Sequence, residues 1–501
     1  MTKSVFWSLS DLYEEKRMCN SLTKLAFFIL FTTLPVVAVA QPSSAQAAAE
    51  RLARSLAGHI TSGDQASFRK FVDESFEAGF RQRAMSAHFG FFNSVHDQSR
   101  GLEVIEVQDW EENAVTLLVK NKLTGLYDGL YVRITTDAPY KIAGIGLRPP
   151  RGEPSSAKLL SVREMAAELA AFGKKLADID VFSGSILLAK DGRVVYKGAF
   201  GMANKDFNVS NKIDTKFNLG SMNKMFTGVA IAQLVEKGKL SYDDPLSKFI
   251  PDFPNPEAAK KIKIKHLLTH TAGLGGYFSE RYWSSSRDRI RTVDDMMKLA
   301  REDEKDVRFE PGSRWAYSNT GMMVLGKVIE VVSGQSYFDY VRENIYKPAG
   351  MTNTDCYELD KVNTNLAVGY DKRFTDDGIE WGNNIFAHVM RGGPQGGGYS
   401  TAEDLLKFDQ ALRSGKLVSP ATFKLITSAK PELNSPEYGY GFGFDAGRNV
   451  TGHSGGFPGI SSNLDMYLGS GWTAIVMSNY SRGSSPITQK MRQLIAASTE
   501  K

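Results

Sequence analysis

Ser221 and Lys224 stand three residues apart in the stretch Phe217-Asn218-Leu219-Gly220-Ser221-Met222-Asn223-Lys224, directly before a strongly helical run from Met225 to Lys237. A serine near a helix N-terminus sits where the backbone dipole favours developing negative charge. A lysine at i+3 shares the face of that first turn and can reach the serine oxygen. Such an amine takes a proton only when it is neutral, a state that burial or a neighbouring like charge favours. The pair therefore suits covalent catalysis by an activated hydroxyl. Spacing alone proves little, because Ser-x-x-Lys also starts at Ser21, Ser67, Ser155 and Ser498. The same residues would equally serve as a helix N-cap followed by a solvated lysine.

Two further stretches carry chemistry. Glu310 to Gly321 is a turn-rich loop ahead of a helical run from Met322 to Val332, and it holds Tyr317-Ser318-Asn319, the sole Tyr-x-Asn of the chain. A phenol can shuttle the serine proton if an ammonium lowers its pKa, and an Asn amide can hold both a lysine and a substrate carbonyl. The plain alternative is a tyrosine hydroxyl closing a turn. Thr451-Gly452-His453-Ser454-Gly455-Gly456-Phe457-Pro458-Gly459 precedes a strand pair near the C-terminus, and its glycines would let a substrate backbone approach an edge strand closely. As a bland reading it is a Gly-rich connector.

Competing motifs fare worse. Gly452 to Gly456 fits Gly-x-Ser-x-Gly, the nucleophile elbow of α/β-hydrolases, which would make Ser454 the nucleophile. That fold needs a histidine after the serine, and every histidine here precedes residue 454. His266 and His270 have the i, i+4 spacing of a zinc pair, but the intervening Leu267-Leu268-Thr269 lacks the glutamate of a metalloprotease. They read as structural histidines, and no metal or cofactor is expected. The glycines from Gly392 to Gly398 surround Pro394 and do not join a strand to a helix, so they read as a loop.

Taken in order, the three stretches resemble the serine β-lactamase and penicillin-binding protein superfamily, especially its class C β-lactamase-related esterase and D-peptidase branch. His266 to Leu274 (HLLTHTAGL) and Gly396 to Asp404 (GGGYSTAED) look like that branch too. The resemblance runs from about Val181 to the C-terminus. It implies Ser221 as nucleophile, Lys224 and Tyr317 as the pair that removes and returns its proton, and Asn319 as a substrate clamp. It further implies an oxyanion hole from the Ser221 and Gly456 N–H groups, with His453, Ser454 and Gly455 along the substrate. Where those enzymes carry Lys-Thr-Gly, this chain has His453-Ser454-Gly455. A permanent ammonium suits the carboxylate of a penicillin or peptide C-terminus, whereas an ordinary histidine is mostly neutral at pH 7. Esters, small amides or D-amino-acid peptides are thereby favoured over an efficient β-lactamase or D,D-peptidase activity. A penicillin-recognising module that binds without turnover is the alternative of a different class.

The elements that must position these residues follow from length and pattern. A chain of 501 residues exceeds one ordinary domain. Leu25 to Ala40 is uncharged, follows Lys24 and ends Ala38-Val39-Ala40, so residues 1–40 read as a secretory signal and the mature protein as periplasmic or extracellular. Sixteen residues with an internal Pro35 fall short of the roughly twenty that span hydrocarbon, so no stable span is expected after cleavage. Residues 42–147 carry helical spacing at Ala47–Ile60 and Gln65–Phe76, then four strand-like runs, which make a small α+β unit similar in element order to nuclear-transport-factor-2-like and cystatin-like domains. Residues 148–158, with three prolines and a glycine in Arg148 to Ser156, read as a linker. Residues 159–501 form the second domain: a hairpin around Asp191-Gly192 opens it, another around Gly469-Ser470-Gly471 closes it, and a helical lobe lies between. The fold expected is α+β, an antiparallel sheet flanked by helices. A net charge of +5, with Lys260 to Lys265 as the densest basic run, argues against nucleic acid. The partner expected is a small molecule or short peptide.

Overall fold

The computed structural model describes residues 43–83, 85–148, 150, 159–301, 307–375 and 378–500. The signal segment and most of the linker lie outside the described residues. From Ser44 to Lys501 the chain is one compact unit. Among the described residues no helix is long and apolar enough to cross a membrane.

The N-terminal region begins with helices Ser44–Ser62 and Gln65–Ser75, the second capped by the Asp64 carboxylate. Four antiparallel strands follow in sequence order: Leu102–Glu111, Ala114–Asn121, Tyr127–Ile134 and Ile142–Arg148. One face of this sheet and the helices share a core of their own, in which Phe68 stacks on Phe92 at 4.1 Å. Phe92 belongs to a helix, Met85–Ser99, that periodicity does not reveal. Its apolar residues are spread around the axis instead of forming one stripe.

The larger region is organised by a six-stranded antiparallel sheet. Its order is Gly443–Asp445, Val450–Phe457, Ile460–Tyr467, Trp472–Ser478, Gly184–Lys190 and Arg193–Phe200. The opening and closing hairpins do share one sheet, joined by the pairing of Trp472 with Lys190 through Ser478 with Gly184. The Asp191-Gly192 turn has φ of 49° and 75°, which only a primed turn requires. Alternation along the strands serves two cores. Leu187, Leu464, Met466, Ile475 and Met477 face the helical lobe, while Ile186, Leu188, Trp472 and Val476 face helices Val162–Asp178 and Ser484–Ala496.

Val450–Phe457 is itself a strand, although its three glycines and one serine in eight residues make a poor strand former. The glycines are there for proximity. A Cβ on Gly455 would lie 1.9 Å from the Leu219 carbonyl oxygen, so only glycine lets this strand press on the turn that carries Ser221.

Leu126, from the turn between the second and third N-terminal strands, is 2% exposed and packs into the outer core of the larger region, beside Met165 and Leu169. Leu126→Ala is expected to destabilise the protein by about 3 kcal/mol, as buried leucine truncations do. Urea denaturation followed by far-ultraviolet circular dichroism reads this directly.

Candidate functional site

Ser221 lies in a 3₁₀ turn, Gly220–Met222, that runs into helix Asn223–Glu236. Gly220 has φ of 51°, and the Asn218 side-chain oxygen accepts from its N–H at 2.9 Å. The turn is clamped from one side by the glycine loop, where Gly397 N–H donates to Gly220 O at 3.1 Å and Leu219 N–H donates to Gly398 O at 2.7 Å. The edge strand clamps it from the other. The helix N-cap is Met222, with no side-chain cap bond, and Lys224 is fully buried. Neither part of the capping alternative is present.

Helix Asn223–Glu236 is buried from Asn223 to Leu234, which carries Lys224 out of solvent. Its Nζ donates to Ser221 Oγ at 3.0 Å, to Asn319 Oδ1 at 2.8 Å and to the Gln395 carbonyl. All three acceptors are uncharged. With no carboxylate to offset desolvation, burial holds the Lys224 pKa well below the ordinary lysine value. The amine is also 4.9 Å from the Tyr317 ring centroid.

The Tyr317 hydroxyl hydrogen-bonds Ser221. Although 38% of the residue is exposed, the hydroxyl points inward, and its desolvation pushes the pKa up to about 12 against the pull of the serine bond. The expectation of a phenol acidified by an ammonium is thus corrected: desolvation outweighs every lowering influence on the Tyr317 hydroxyl. Asn319 opens helix Asn319–Ser333, and Ser318 caps that helix through Gly321 N–H at 2.9 Å.

Strand Val450–Phe457 pairs with Gly443–Asp445 only as far as Gly452, so its second half, with His453, Ser454, Gly455 and Gly456, is a free sheet edge beside the turn. A Cβ on Gly220 would lie 3.0 Å from the Gly456 nitrogen. The hairpin closes at Phe457 paired with Ile460, and the antiparallel alternation turns the N–H of Gly456 toward the free edge that faces Ser221. His453 Nδ1 bonds the Ser454 carbonyl, so Nδ1 carries the proton and Nε2 accepts from the Tyr438 hydroxyl at 2.8 Å. Burial above all lowers the His453 pKa to about 3. The position where relatives of this kind carry a cation is therefore neutral here.

Three residues of the site escape sequence reasoning. His270, read as structural, has φ of 60° and is buried. Its Nδ1 accepts from Ser318 N–H at 3.2 Å and its carbonyl from Ala316 N–H at 2.9 Å, which fixes the loop on both sides of Tyr317. Its ring lies 4.5 Å from that of Tyr317 and 4.6 Å from that of Tyr438. Tyr438 is buried and comes from a distant segment. Gln395 acts through a main-chain carbonyl, which no side-chain pattern can announce. His266 accepts from Lys263 N–H at 3.2 Å inside its own turn, apart from His270 in function, and no metal-ligating cluster exists among the described residues.

This fold, with a serine turn, a buried lysine and a Tyr-x-Asn loop, defines a serine hydrolase of the β-lactamase and penicillin-binding protein superfamily. Residues 169–498 match the Beta-lactamase family model, and the chain belongs to that family. Penicillin-binding protein 4* of Bacillus subtilis (strain 168) is 33% identical over 60% of this chain and 68% of its own. Esterase EstB of Burkholderia gladioli is 29% identical over 68% and 97%. The crystal structure of a penicillin-binding protein from Bacillus halodurans superposes with a TM-score of 0.58 at 30% identity, covering 66% of this chain and 98% of that one.

The buried amine has a consequence for stability. Unfolded lysine keeps its proton to about 10.5, whereas folded Lys224 releases it well below, so between the two values the unfolded state binds the extra proton. The cost of burying Lys224 is full at low pH and fades as pH rises toward 10.5. The unfolding free energy of wild type relative to Lys224→Met should therefore move in favour of wild type between pH 7 and 10. Urea titrations at four pH values check it, and a flat difference would place Lys224 in the ammonium form.

Proposed function

We propose that Ser221 is the nucleophile of an acyl-transfer cycle, and that the protein hydrolyses esters, small amides or D-amino-acid peptides. The observation that carries this is the fully buried Lys224, with Nζ 3.0 Å from Ser221 Oγ and only neutral acceptors around it. Neutral Lys224 takes the Ser221 proton as Oγ bonds to the substrate carbonyl carbon. The Tyr317 hydroxyl, protonated at neutral pH, relays a proton to the leaving oxygen or nitrogen as its bond to that carbon breaks. Water then adds to the acyl-enzyme, gives up a proton to the same pair, and releases the acid with Oγ reprotonated. Asn319 holds Lys224 and the substrate carbonyl side, and the N–H groups of Ser221 and Gly456 receive the oxyanion, each worth about 3 kcal/mol in hydrolases of this kind.

Substrate class follows from His453. With its pKa near 3 and both ring nitrogens engaged, it offers no charge to a carboxylate. Ser454 and Gly455 leave a neutral, hydrogen-bonding strand edge, which suits an ester or amide without an anionic tail. Residues 1–40 are proposed as a secretory signal, with the enzyme acting in the periplasm or outside the cell.

A panel of short-chain esters, nitrocefin, D-amino-acid amides and D-Ala-D-Ala peptides tests the reading. Esters or neutral amides should lead, and Ser221→Ala should lose at least about 1000-fold in kcat. A fluorophosphonate should label Ser221, and an acyl adduct formed from an activated ester should clear. A lasting adduct from a good ester supports the non-turnover module instead, and preference for nitrocefin by orders of magnitude would overturn the role given to His453.

A further inference from the structure

The edge strand has two chemically different ends. At its His453 end gather the proton-carrying groups: Tyr438 on His453, and Tyr317 packed through His270 against Tyr438. Four residues along, about 13 Å at strand rise, lies Phe457, and here the neighbours are aromatic rings. Phe457 stacks with Phe278 at 5.3 Å and 28°, and with Trp283 at 5.9 Å and 8°. Phe278 and Trp283 lie 6.2 Å apart at 26°. The three planes are thus within 28° of one another and form one apolar face. Phe278 is 40% exposed and Trp283 48%, a large apolar outlay for a surface that no described residue covers fully.

This face is held in place. The Arg287 guanidinium lies 5.3 Å from the Tyr282 ring and 5.9 Å from Trp283, and it donates to the carbonyls of Tyr282, Trp283 and Phe386. It is also tied to the serine turn at two points. Phe457 follows Gly456. Phe278 follows Tyr277, whose hydroxyl accepts from Gln395 Nε2 at 3.5 Å, and the Gln395 carbonyl holds Lys224.

Proton traffic orients the substrate. The proton taken from Ser221 must reach the leaving group, which places that group on the Tyr317 side and the acyl group on the opposite side, toward Phe457. We infer that Phe278, Trp283 and Phe457 form the acyl-side pocket of the Ser221 site and select acyl groups that carry an aromatic ring. This rests on the acyl-transfer reading above and adds the substrate class to it. A flat acyl ring stacks on the platform, whereas an acetyl group reaches none of it.

p-Nitrophenyl acetate and p-nitrophenyl phenylacetate share a leaving group and differ only in the acyl part. Wild type should prefer phenylacetate by about tenfold or more in kcat/KM after correction for spontaneous hydrolysis. In Phe278→Ala and Trp283→Ala, both exposed positions whose folding is checked by thermal melting, the phenylacetate rate should fall about tenfold further than the acetate rate. A preference that is absent, or equal loss on both esters, overturns the proposal. A second arm needs no turnover: calorimetry on Ser221→Ala should show phenylacetamide binding, acetamide not binding, and the binding lost on adding Trp283→Ala. If wild type hydrolyses neither ester, the nucleophile assignment fails, and the calorimetry still decides the pocket. Equal affinity for the two amides overturns it.

Discussion

Everything around Ser221 depends on one lysine kept away from water and from every carboxylate. Desolvating an ammonium is costly unless it is paired, and the usual outcome is loss of the proton. Lys224 meets a hydroxyl, an amide oxygen and a peptide carbonyl, all of which can accept from an amine without forcing it to stay charged. The protein thus holds a lysine whose hold on its proton burial has weakened 3.0 Å from the Ser221 hydroxyl, beside a phenol whose pKa burial pushes up to about 12. The neutral His453 completes a site whose polar groups carry little net charge.

Much of the architecture exists to bury that lysine and still reach its serine. Helix Asn223–Glu236 lies in the middle of the helical lobe and is crossed closely at Gly228, where a Cβ would meet the Tyr440 carbonyl oxygen at 2.2 Å. The glycine loop covers the serine turn from one side and delivers the Gln395 carbonyl. The edge strand approaches from the other side, which its glycines permit. The helical lobe and the sheet therefore meet on Ser221, each contributing part of the site through main-chain atoms.

The legible part of the site was the part made of side chains at short spacing. Ser221 and Lys224 share a helical turn, Tyr317 and Asn319 share a loop, and each pair is read from a few consecutive residues. The structure brings all four together. His270 and Tyr438 were not legible as site residues, because they act by ring packing across segments far apart in sequence. Gln395 contributes only a carbonyl, which any residue type carries. The stretch Thr451 to Gly459 read as a glycine-rich approach to a strand pair, with a plain connector as the alternative; that Val450–Phe457 is itself a strand was hidden because the glycines that weaken its strand propensity are demanded by tertiary proximity. For the fold, the primed turn at Asp191-Gly192 and the alternating runs beside it were clear, whereas the evenly apolar helix Met85–Ser99 left no periodic trace.

The most direct test is the titration of Lys224 itself. In protein labelled with carbon-13 at lysine Cε, the Lys224 resonance can be assigned by its loss in Lys224→Met and followed with pH. The account predicts a midpoint well below 10.5, with Lys224 neutral while the other lysines remain charged. A Lys224 signal that titrates with the surface lysines, at or above 10.5, would contradict it.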